Sequence, residues 1–411
     1  MVSLAACSIS GDDTGAGAGE WAGTITTDGD VTKVVNESGS VWPGRGQLIE
    51  EAAIGVEAGA DEYMFGDLFA LTVTNEHIYV TDEQADMVRR YDLDGVFVDN
   101  IGAIGQGPGE YGDPAMVAVT PDGRIIVFDF AGDRMQVYTR DGEPLDTWPS
   151  PKAGCCGWPM LTDADGTLWV PTLEFDYVAG EATYGIQVYG PDGPAEPRFP
   201  VRELDGPSQP PLEVGSTIRT TMPFTPQFVW TLAAPGRVLA GAGDAYRFEV
   251  QERGETVRVV EKYWEPVGID PEHREWRRKT IIALGRRFDA GWTWNGAGMP
   301  THLPAYSSLI PTRSGETWVA RYGAAVRAEE CADPLAEAGP ASPPPTDPCW
   351  QDTLVLDVFD ADGRFLGEVE TPPGVTPHPL RMHIDGDRVV AVCENELGVY
   401  QVKRYRLVRP K

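Results

Sequence analysis

Few residues in this chain of 411 amino acids have the type and spacing that metal binding requires. His302 and His378 each precede a predicted innermost strand, and Asp67 and Asp113 precede two others. If these strands line one channel, the four side chains could meet at its mouth and hold a divalent metal. Single histidines at unrelated spacings, however, are usually surface or capping residues. The sequence therefore predicts no metal site, with this set as the alternative.

A second group of residues has side chains suited to ligand binding. Its members are aromatic or cationic and lie in or beside long irregular segments: Trp158, Trp292, Trp294, His302, Tyr306, Arg321, His378 and Arg381. Aromatic rings at a pocket mouth suit a sugar ring or an apolar ligand. The alternative is that the aromatic residues only pack the insertions onto the domain.

Catalysis has less support in the sequence. In an enzyme, His302, His378, Arg321 or Arg381 would belong to the active site. The chain contains no GxSxG elbow, HExxH helix or GxxxxGK[ST] loop, the motifs typical of hydrolases, metalloproteases and nucleotide-binding enzymes. The sequence therefore favours binding over catalysis.

The elements that position these residues follow from an internal repeat. Residues 70–100 contain four short apolar strands with turns at Asn75-Glu76 and Asp94-Gly95, and residues 115–148 repeat the pattern with turns PDG and RDG. Asp-Gly between alternating apolar runs is a strong hairpin signal, because Gly adopts positive φ without steric cost. Each unit is predicted to be a four-stranded antiparallel meander of about 40 residues, the length of a propeller blade.

The pattern continues more loosely in four further units, which begin near Trp158, Phe228, Tyr306 and Leu380. The last unit lacks a fourth strand, and an unpaired sheet edge invites aggregation. Residues 48–55 (LIEEAAIG) precede the first unit and can supply that strand. The sequence predicts an all-β, six-bladed β-propeller of four-stranded antiparallel blades, closed by this N-terminal strand.

The long segments between predicted strands fall on one face of such a propeller. They include the Cys155-Cys156 loop and residues 201–227, 265–303 and 323–351. Asp270 and Pro271 start a predicted helix in the insertion between blades 4 and 5, since Asp favours the N-cap and Pro the first helical position. Insertions concentrated on one face of a repeat array usually mark the binding face, so we expect the ligand on this loop-rich face.

A GxGPGE-like motif, Gly105 to Glu110, lies between the first two predicted blades. With the repeats, it resembles the six-bladed propellers of the NHL-repeat and TolB-like type, especially predicted bacterial lipoproteins. The resemblance covers about residues 48–408 and implies the fold rather than an activity. Calcium-dependent propeller lactonases and zinc-dependent propeller lyases place polar ligands on the innermost strands. Here these strands begin with mostly apolar residues, such as Phe69-Ala70 and Ala115-Met116, so no cofactor is predicted.

The N-terminus indicates export. Leu4-Ala5-Ala6-Cys7 resembles a bacterial lipobox, in which the Cys7 thiol receives a diacylglycerol. A signal peptide needs a basic region and about 7–15 apolar residues before such a site, and only three residues precede this one, so a chance match is the alternative. We assign residues 1–20 to a truncated signal peptide and flexible tether, 21–47 to an N-terminal extension, and 48–411 to one propeller domain.

The chain has five cysteines besides Cys7. Export would place them in an oxidising compartment, where disulfides can form. Cys331 and Cys349 bracket a Pro-rich insertion and are the favoured pair, since closing a long loop lowers the entropy of the unfolded chain. Cys155 and Cys156 form a vicinal disulfide or remain reduced, and Cys393 is a predicted buried thiol.

Together these observations predict a lipid-anchored propeller of the cell envelope, in the periplasm or at the outer membrane. It would be a monomer that binds a small molecule, glycan or partner protein through its loop-rich face without catalysis. The alternative is a propeller hydrolase or lyase. Nucleic acid is excluded as a partner because the formal net charge is −30. Membrane contact is expected through the lipid only.

Overall fold

The computed structural model describes residues 20–151, 158–176, 181–204, 212–214, 218–336 and 349–411. Cys7, Cys155 and Cys156 lie outside these residues. The described chain forms a six-bladed β-propeller, so the predicted fold class is confirmed. Within each blade the strands are named A to D from the inside outward.

The first three blades follow the chain in order. Blade 1 contains Leu68–Val73, His77–Asp82, Met87–Asp92 and Phe97–Ile101; blade 2 contains Pro114–Val119, Ile125–Asp129, Arg134–Tyr138 and Pro144–Pro149; and blade 3 contains Leu161–Thr162, Leu168–Asp176, Glu181–Gly190 and Gly193–Pro200. Gly95 and Gly142, in the C–D turns of blades 1 and 2, have φ of 87° and 83°. This is the left-handed conformation that makes Gly the favoured residue at both turns.

The other three blades contain longer connections. Blade 4 contains Val229–Ala234, Arg237–Gly241, Arg247–Glu252 and Glu255–Lys262; blade 5 contains Tyr306–Pro311, Thr317–Tyr322, Leu354–Phe359 and Phe365–Val369; and blade 6 contains Met382–Asp385, Arg388–Glu394, Tyr400–Val408 and Gln47–Ile54. Short paired strands lie between blade strands: Ala103–Ile104 with Glu110–Tyr111, Leu212–Val214 with Ile218–Thr220, and Val326–Arg327 with Trp350–Gln351. A 3₁₀ turn, Asp61–Tyr63, precedes blade 1, and helix α1, Pro271–Phe288, lies between blades 4 and 5.

The two ends of the chain share blade 6. Strand D of this blade, Gln47–Ile54, pairs antiparallel with strand C, Tyr400–Val408, and places Leu48 opposite Leu407. Both side chains contribute to an apolar cluster that blade 6 shares with blade 5. The pairing gives the last blade its outer strand, and apolar packing holds that strand in place.

The N-terminal extension, for which the sequence indicated no structure, forms a hairpin on blade 4. Its strands are Ala22–Asp28 and Val31–Ser38, and the second pairs parallel with strand D of blade 4. The Asn36 amide, 3% exposed, donates to the carbonyls of Glu261 and Gly363 and accepts from the Trp21 indole and the Phe365 N–H. Both amide hydrogens and the amide oxygen of Asn36 are hydrogen-bonded. These bonds offset the cost of removing this polar side chain from water.

Residues 39–46, here called the N-terminal strap, continue from this hairpin along the outer edge of blade 5. The N–H groups of Val41 and Trp42 donate to the carbonyls of Phe365 and Leu366, and Gly46 forms a parallel bridge with Val369. Trp42 is 7% exposed and lies in the core between blades 5 and 6. The first part of the chain thus covers the outer edges of three consecutive blades.

A disulfide joins Cys331 and Cys349, the pairing that the sequence favoured, with their Cα atoms 4.9 Å apart. Cys393 is a buried free thiol that contacts the Tyr405 hydroxyl. Within the described ranges, no helix is long and apolar enough to cross a bilayer.

Candidate functional site

A cavity of about 1190 Å³ occupies the propeller channel on the face that carries the short A–B and C–D turns. All six blades contribute to it, and its lining includes residues within 71–79, 118–123, 159–164, 233–239, 311–317 and 382–384. It extends outward between blades 4 and 5, where Phe248, Val260 and Gly363 line it. We call it the central cavity. It lies on the face opposite the long insertions, because A–B turns and B–C loops are at opposite ends of the strands.

Threonine hydroxyls and apolar side chains form much of the cavity wall. Thr72 of blade 1 donates to the Val117 carbonyl of blade 2 over 2.6 Å, and Thr162 of blade 3 donates to the Val119 carbonyl over 2.8 Å. These bonds join neighbouring innermost strands and hold both hydroxyls in one orientation. The wall is therefore rigid, and each hydroxyl oxygen retains lone pairs that can accept from a ligand.

The rim consists of tight turns whose side chains bond the backbone. Thr74 Oγ1 accepts from the His77 N–H at 2.9 Å, and Thr312 Oγ1 donates to the Glu316 carbonyl at 3.1 Å. Side-chain bonding of this kind is typical of Thr at turn starts and fixes the turn conformation. The cavity mouth therefore has a defined shape.

Arg313 supplies a cation at the mouth. Its guanidinium donates to the Val73 carbonyl of blade 1 at 3.1 Å and lies 3.7 Å from the Asp385 carboxylate of blade 6. About half of the side chain remains exposed. His383 also lines the cavity, and burial, followed by the charge of Arg313, lowers the pKa of its imidazole to about 4. This histidine is neutral at pH 7.

An apolar cluster includes side chains at the start of the innermost strands, the end nearer the loop-rich face. It includes Phe69, Met116, Met160 and Leu380, which come from four different blades. Met160 belongs both to this cluster and to the lining of the central cavity. The cluster therefore adjoins the central cavity and makes part of its wall apolar.

The aromatic residues singled out in the sequence serve mainly in packing. Trp158 stacks on Trp230 with ring centroids 4.5 Å apart. Tyr306 is 2% exposed, and its hydroxyl donates to the Arg247 carbonyl at 2.6 Å. Neither ring lines the central cavity, and their contacts are those of core side chains.

Two further tryptophans hold the helical insertion together. Trp292 is 7% exposed, packs against Ile282 of helix α1, and donates its indole N–H to the Glu213 carbonyl at 3.0 Å. Trp294 packs on the same cluster and donates to the Ala297 carbonyl. The packing interpretation therefore accounts for both residues.

The predicted cationic site residues are engaged in other contacts. Arg321 lies in a buried ion network, 3.2 Å from the Asp357 carboxylate. Arg381 lies 3.8 Å from the Asp67 carboxylate, and His378 Nδ1 accepts from the Leu380 N–H at 3.2 Å. Burial, then the charge of Arg381, lowers the pKa of His378 to about 4. At pH 7 the His378 imidazole is therefore neutral, and both arginines are paired with carboxylates.

The four candidate metal ligands are not assembled into a metal site. His302 is exposed in the insertion, where Nδ1 lies 3.0 Å from the Thr301 hydroxyl. Asp67 pairs with Arg381, while burial, and then neighbouring carboxylates, raises the pKa of Asp113. Among the residues that the structure describes, no group of three or more His, Cys, Asp or Glu side chains is arranged to hold a metal.

Sequence reasoning missed Arg313 and His383 as lining residues because it gave most weight to the long insertions. The short turns matter because those after the innermost strands surround the channel axis. Thr74, Thr120 and Thr312 begin three of these turns. The recurrence of threonine at the start of these turns could have identified the cavity rim from the sequence, although it does not identify a ligand.

Comparison with known proteins agrees with the fold. A family of unknown function, DUF5128, described as a 6-bladed beta-propeller, matches residues 58–181. No curated protein matches the chain. Fold and family description together define the class as a six-bladed β-propeller.

Several solved structures are similar along most of their length. A putative exported protein from Bacteroides fragilis is 13% identical, with 93% of this chain and 100% of that chain covered and a TM-score of 0.47. A member of the DUF4221 family from Bacteroides vulgatus is 9% identical, with 89% and 99% covered and a TM-score of 0.49. Virginiamycin B lyase from Staphylococcus aureus is 10% identical, with 89% and 100% covered and a TM-score of 0.38.

Proposed function

We propose that this protein is a binding protein without catalytic activity and that its ligand occupies the central cavity. The supporting observation is a cavity of about 1190 Å³, walled by all six blades, whose arginine and glutamate side chains all have ion-pair partners. Arg313 pairs with Asp385, and Arg140 pairs with Glu76. A general acid or base works best with a pKa near the working pH. His383 does not meet this condition, since its pKa is about 4.

The lining indicates the chemistry of the ligand. Apolar side chains such as Leu71 and Met160 cover the deeper wall, and Arg313 lies at the mouth. Ligand pockets commonly combine an apolar surface with a few polar groups that fix orientation. We infer an organic molecule with an apolar body and one carboxylate or other acceptor, bound by the Arg313 guanidinium.

This proposal places the ligand on the face opposite the one that the sequence favoured. Toward the loop-rich face, Met116 and Leu380 are buried in an apolar cluster, and the predicted aromatic residues are used in packing. The enzyme alternative, a hydrolase or lyase, would have to use His77 or His383 for proton transfer in the central cavity, and burial lowers the pKa of both imidazoles.

Blocking the cavity tests this proposal. Ala233 is half-buried and lines the cavity, so Ala233→Trp should fill part of it. With 8-anilinonaphthalene-1-sulfonate, an apolar probe with one anionic group, we expect saturable fluorescence for the unmodified protein and at least tenfold weaker binding for Ala233→Trp. Arg313→Ala should also weaken binding, because the probe loses its cation.

The matched control is Ala58→Trp, which adds the same side chain at an exposed loop position. Circular dichroism should show that all variants remain folded. Probe binding unchanged by both Ala233→Trp and Arg313→Ala would show that the probe binds elsewhere and would contradict a central-cavity site.

We further propose that the protein is an exported monomeric lipoprotein of the NHL or TolB-like type, anchored in the cell envelope through Cys7. The lipobox-like sequence Leu4-Ala5-Ala6-Cys7 supports this proposal. The hairpin of the N-terminal extension begins at Ala22, so a short polar segment serves as the tether between the lipid on Cys7 and the folded domain.

Fractionation tests the anchor. With a lipoprotein signal sequence supplied before Leu4 in a bacterial host, the protein should sediment with membranes, and Cys7→Ser should be soluble in the periplasm. Ser10→Ala, a change in the same tether, should remain with the membranes. Membrane association of Cys7→Ser equal to that of the unmodified protein would refute lipid attachment at this residue.

A further inference from the structure

One turn at the mouth of the central cavity holds a guanidinium and a carboxylate at neighbouring residues. The turn joins strands A and B of blade 1, and Val73, Asn75 and Glu76 all belong to the cavity lining. The Arg313 guanidinium, which comes from blade 5, donates to the Val73 carbonyl at 3.1 Å and lies 3.5 Å from the Asn75 amide oxygen. The next residue, Glu76, pairs through its carboxylate with Arg140 of blade 2.

Both groups retain hydrogen-bonding capacity for a ligand. A guanidinium has five N–H donors, and among the described residues only Val73 and Asn75 accept hydrogen bonds from Arg313. Glu76 Oε2 accepts from Arg140, whereas Oε1 accepts no bond from the described part of the chain. The Arg313 side chain is 49% exposed and that of Glu76 is 59% exposed, so a ligand at the mouth can contact both.

The charges around this turn are balanced. Arg313 and Arg140 carry two positive charges, and Glu76 and Asp385, which lies 3.7 Å from Arg313, carry two negative charges. The whole chain has a formal net charge of −30, which repels a free anion at long range. A zwitterion has no net charge and is not repelled, and each of its charged groups has an opposite charge at the turn. The mouth therefore favours a zwitterionic head group over a carboxylate alone.

The cavity also offers an apolar surface to the rest of the ligand. Leu71 lies on the strand that leads into the turn, and Met160 and Leu161 line the cavity from blade 3. An apolar surface with a few polar groups that fix orientation is typical of small-molecule sites. The lining thus suits a molecule with a zwitterionic head and an apolar body.

We propose that the ligand of the central cavity is an α-amino acid with a large apolar side chain. This inference rests on the proposed function and adds the head group of the ligand. The ligand carboxylate accepts from Arg313, its ammonium donates to Glu76, and its side chain lies against Leu71 and Met160. An α-amino acid carries both charged groups on one carbon atom, which suits a guanidinium and a carboxylate held at neighbouring residues of one turn.

Three indole compounds test the head group. L-Tryptophan has both charged groups, indole-3-propanoate lacks the ammonium, and tryptamine lacks the carboxylate. Isothermal titration calorimetry measures their affinities in about 0.15 M salt, where charges are screened beyond about 8 Å. L-Tryptophan should bind about threefold or more tightly than either analogue, because each analogue loses one ion pair at a partly exposed site.

Glu76→Gln should remove the preference for L-tryptophan over indole-3-propanoate, because a neutral amide does not pair with the ammonium. Glu174→Gln is the matched control. Glu174 pairs with Arg198, is also 59% exposed, and lies outside the cavity lining. This control should keep the preference of the unmodified protein, whereas Arg313→Ala should weaken binding of L-tryptophan and indole-3-propanoate alike.

The amino-acid ligand is overturned if L-tryptophan does not bind, if either analogue binds as tightly as L-tryptophan, or if Glu76→Gln keeps the preference shown by Glu174→Gln. The cavity site itself is measured separately with 8-anilinonaphthalene-1-sulfonate and Ala233→Trp. Probe binding that Ala233→Trp abolishes, without any binding of L-tryptophan, would contradict the amino-acid ligand alone. Absence of both would contradict the cavity site as well.

Discussion

Replacement of Asp357 by alanine is expected to lower the free energy of unfolding by about 3–5 kcal/mol. Asp357 is 0% exposed, and its Oδ2 accepts from the Tyr246 hydroxyl at 2.7 Å. The same oxygen lies 3.2 Å from Arg321 and 3.3 Å from Lys262. Without this carboxylate, two largely buried cations of blades 4 and 5 lose their shared counter-charge, and removing one partner of a buried ion pair is strongly destabilising.

Urea-induced unfolding measures this loss. Glu252→Ala is the control, because Glu252 pairs with Arg237 at 2.6 Å while both side chains are nearly half exposed. A surface pair of this kind contributes about 0–1 kcal/mol. If Asp357→Ala costs no more than Glu252→Ala, the network does not hold blades 4 and 5 together as described.

The second large effect is expected at Trp42. Trp42→Ala should cost about 3–5 kcal/mol, the usual range for removing a buried tryptophan. The ring packs in the core between blades 5 and 6 and lies 5.7 Å below the Arg409 guanidinium. Its loss would also loosen the N-terminal strap, so amide exchange should become faster at the Val41 and Gly46 N–H groups, which donate to carbonyls of strand D of blade 5.

Val41→Ala is the control for this experiment. Val41 is the preceding residue of the strap and makes a similar backbone bond to blade 5, but its side chain is 49% exposed. Surface truncations usually change stability by about 0.5 kcal/mol or less. Equal effects of the two substitutions would mean that Trp42 does not hold the strap in place.

Local pattern was enough to predict the blades. In residues 115–148, alternation of apolar residues and Asp-Gly turns is encoded within a few neighbouring positions, and the structure contains the four predicted strands there. The N-terminal hairpin was missed although it also has such a turn, at Asp28-Gly29. Its partner is strand D of blade 4, more than 200 residues away, and no local pattern specifies that contact.

The same limit applies to the sites. The start of helix α1 was predicted from Asp270 and Pro271, and Asp270 indeed caps the helix. The stacking of the His273 ring on Trp350 could not be predicted, because Trp350 lies 77 positions further along the sequence. Arg313 was not predicted as a site residue either, because its position at the cavity mouth depends on the neighbouring turns of blades 1 and 6.

The sequence alone therefore determined the blade repeat, the class of fold and the disulfide pair, since turns, strand alternation and loop closure are properties of short segments. Only the tertiary structure decided which side chains face a cavity and which pack in the core. Tyr306 and Arg321 have the residue types of a binding site, yet both are held in the interior. Burial and counter-charge depend on residues that the fold brings from distant positions, and these decide whether a polar side chain is free to bind.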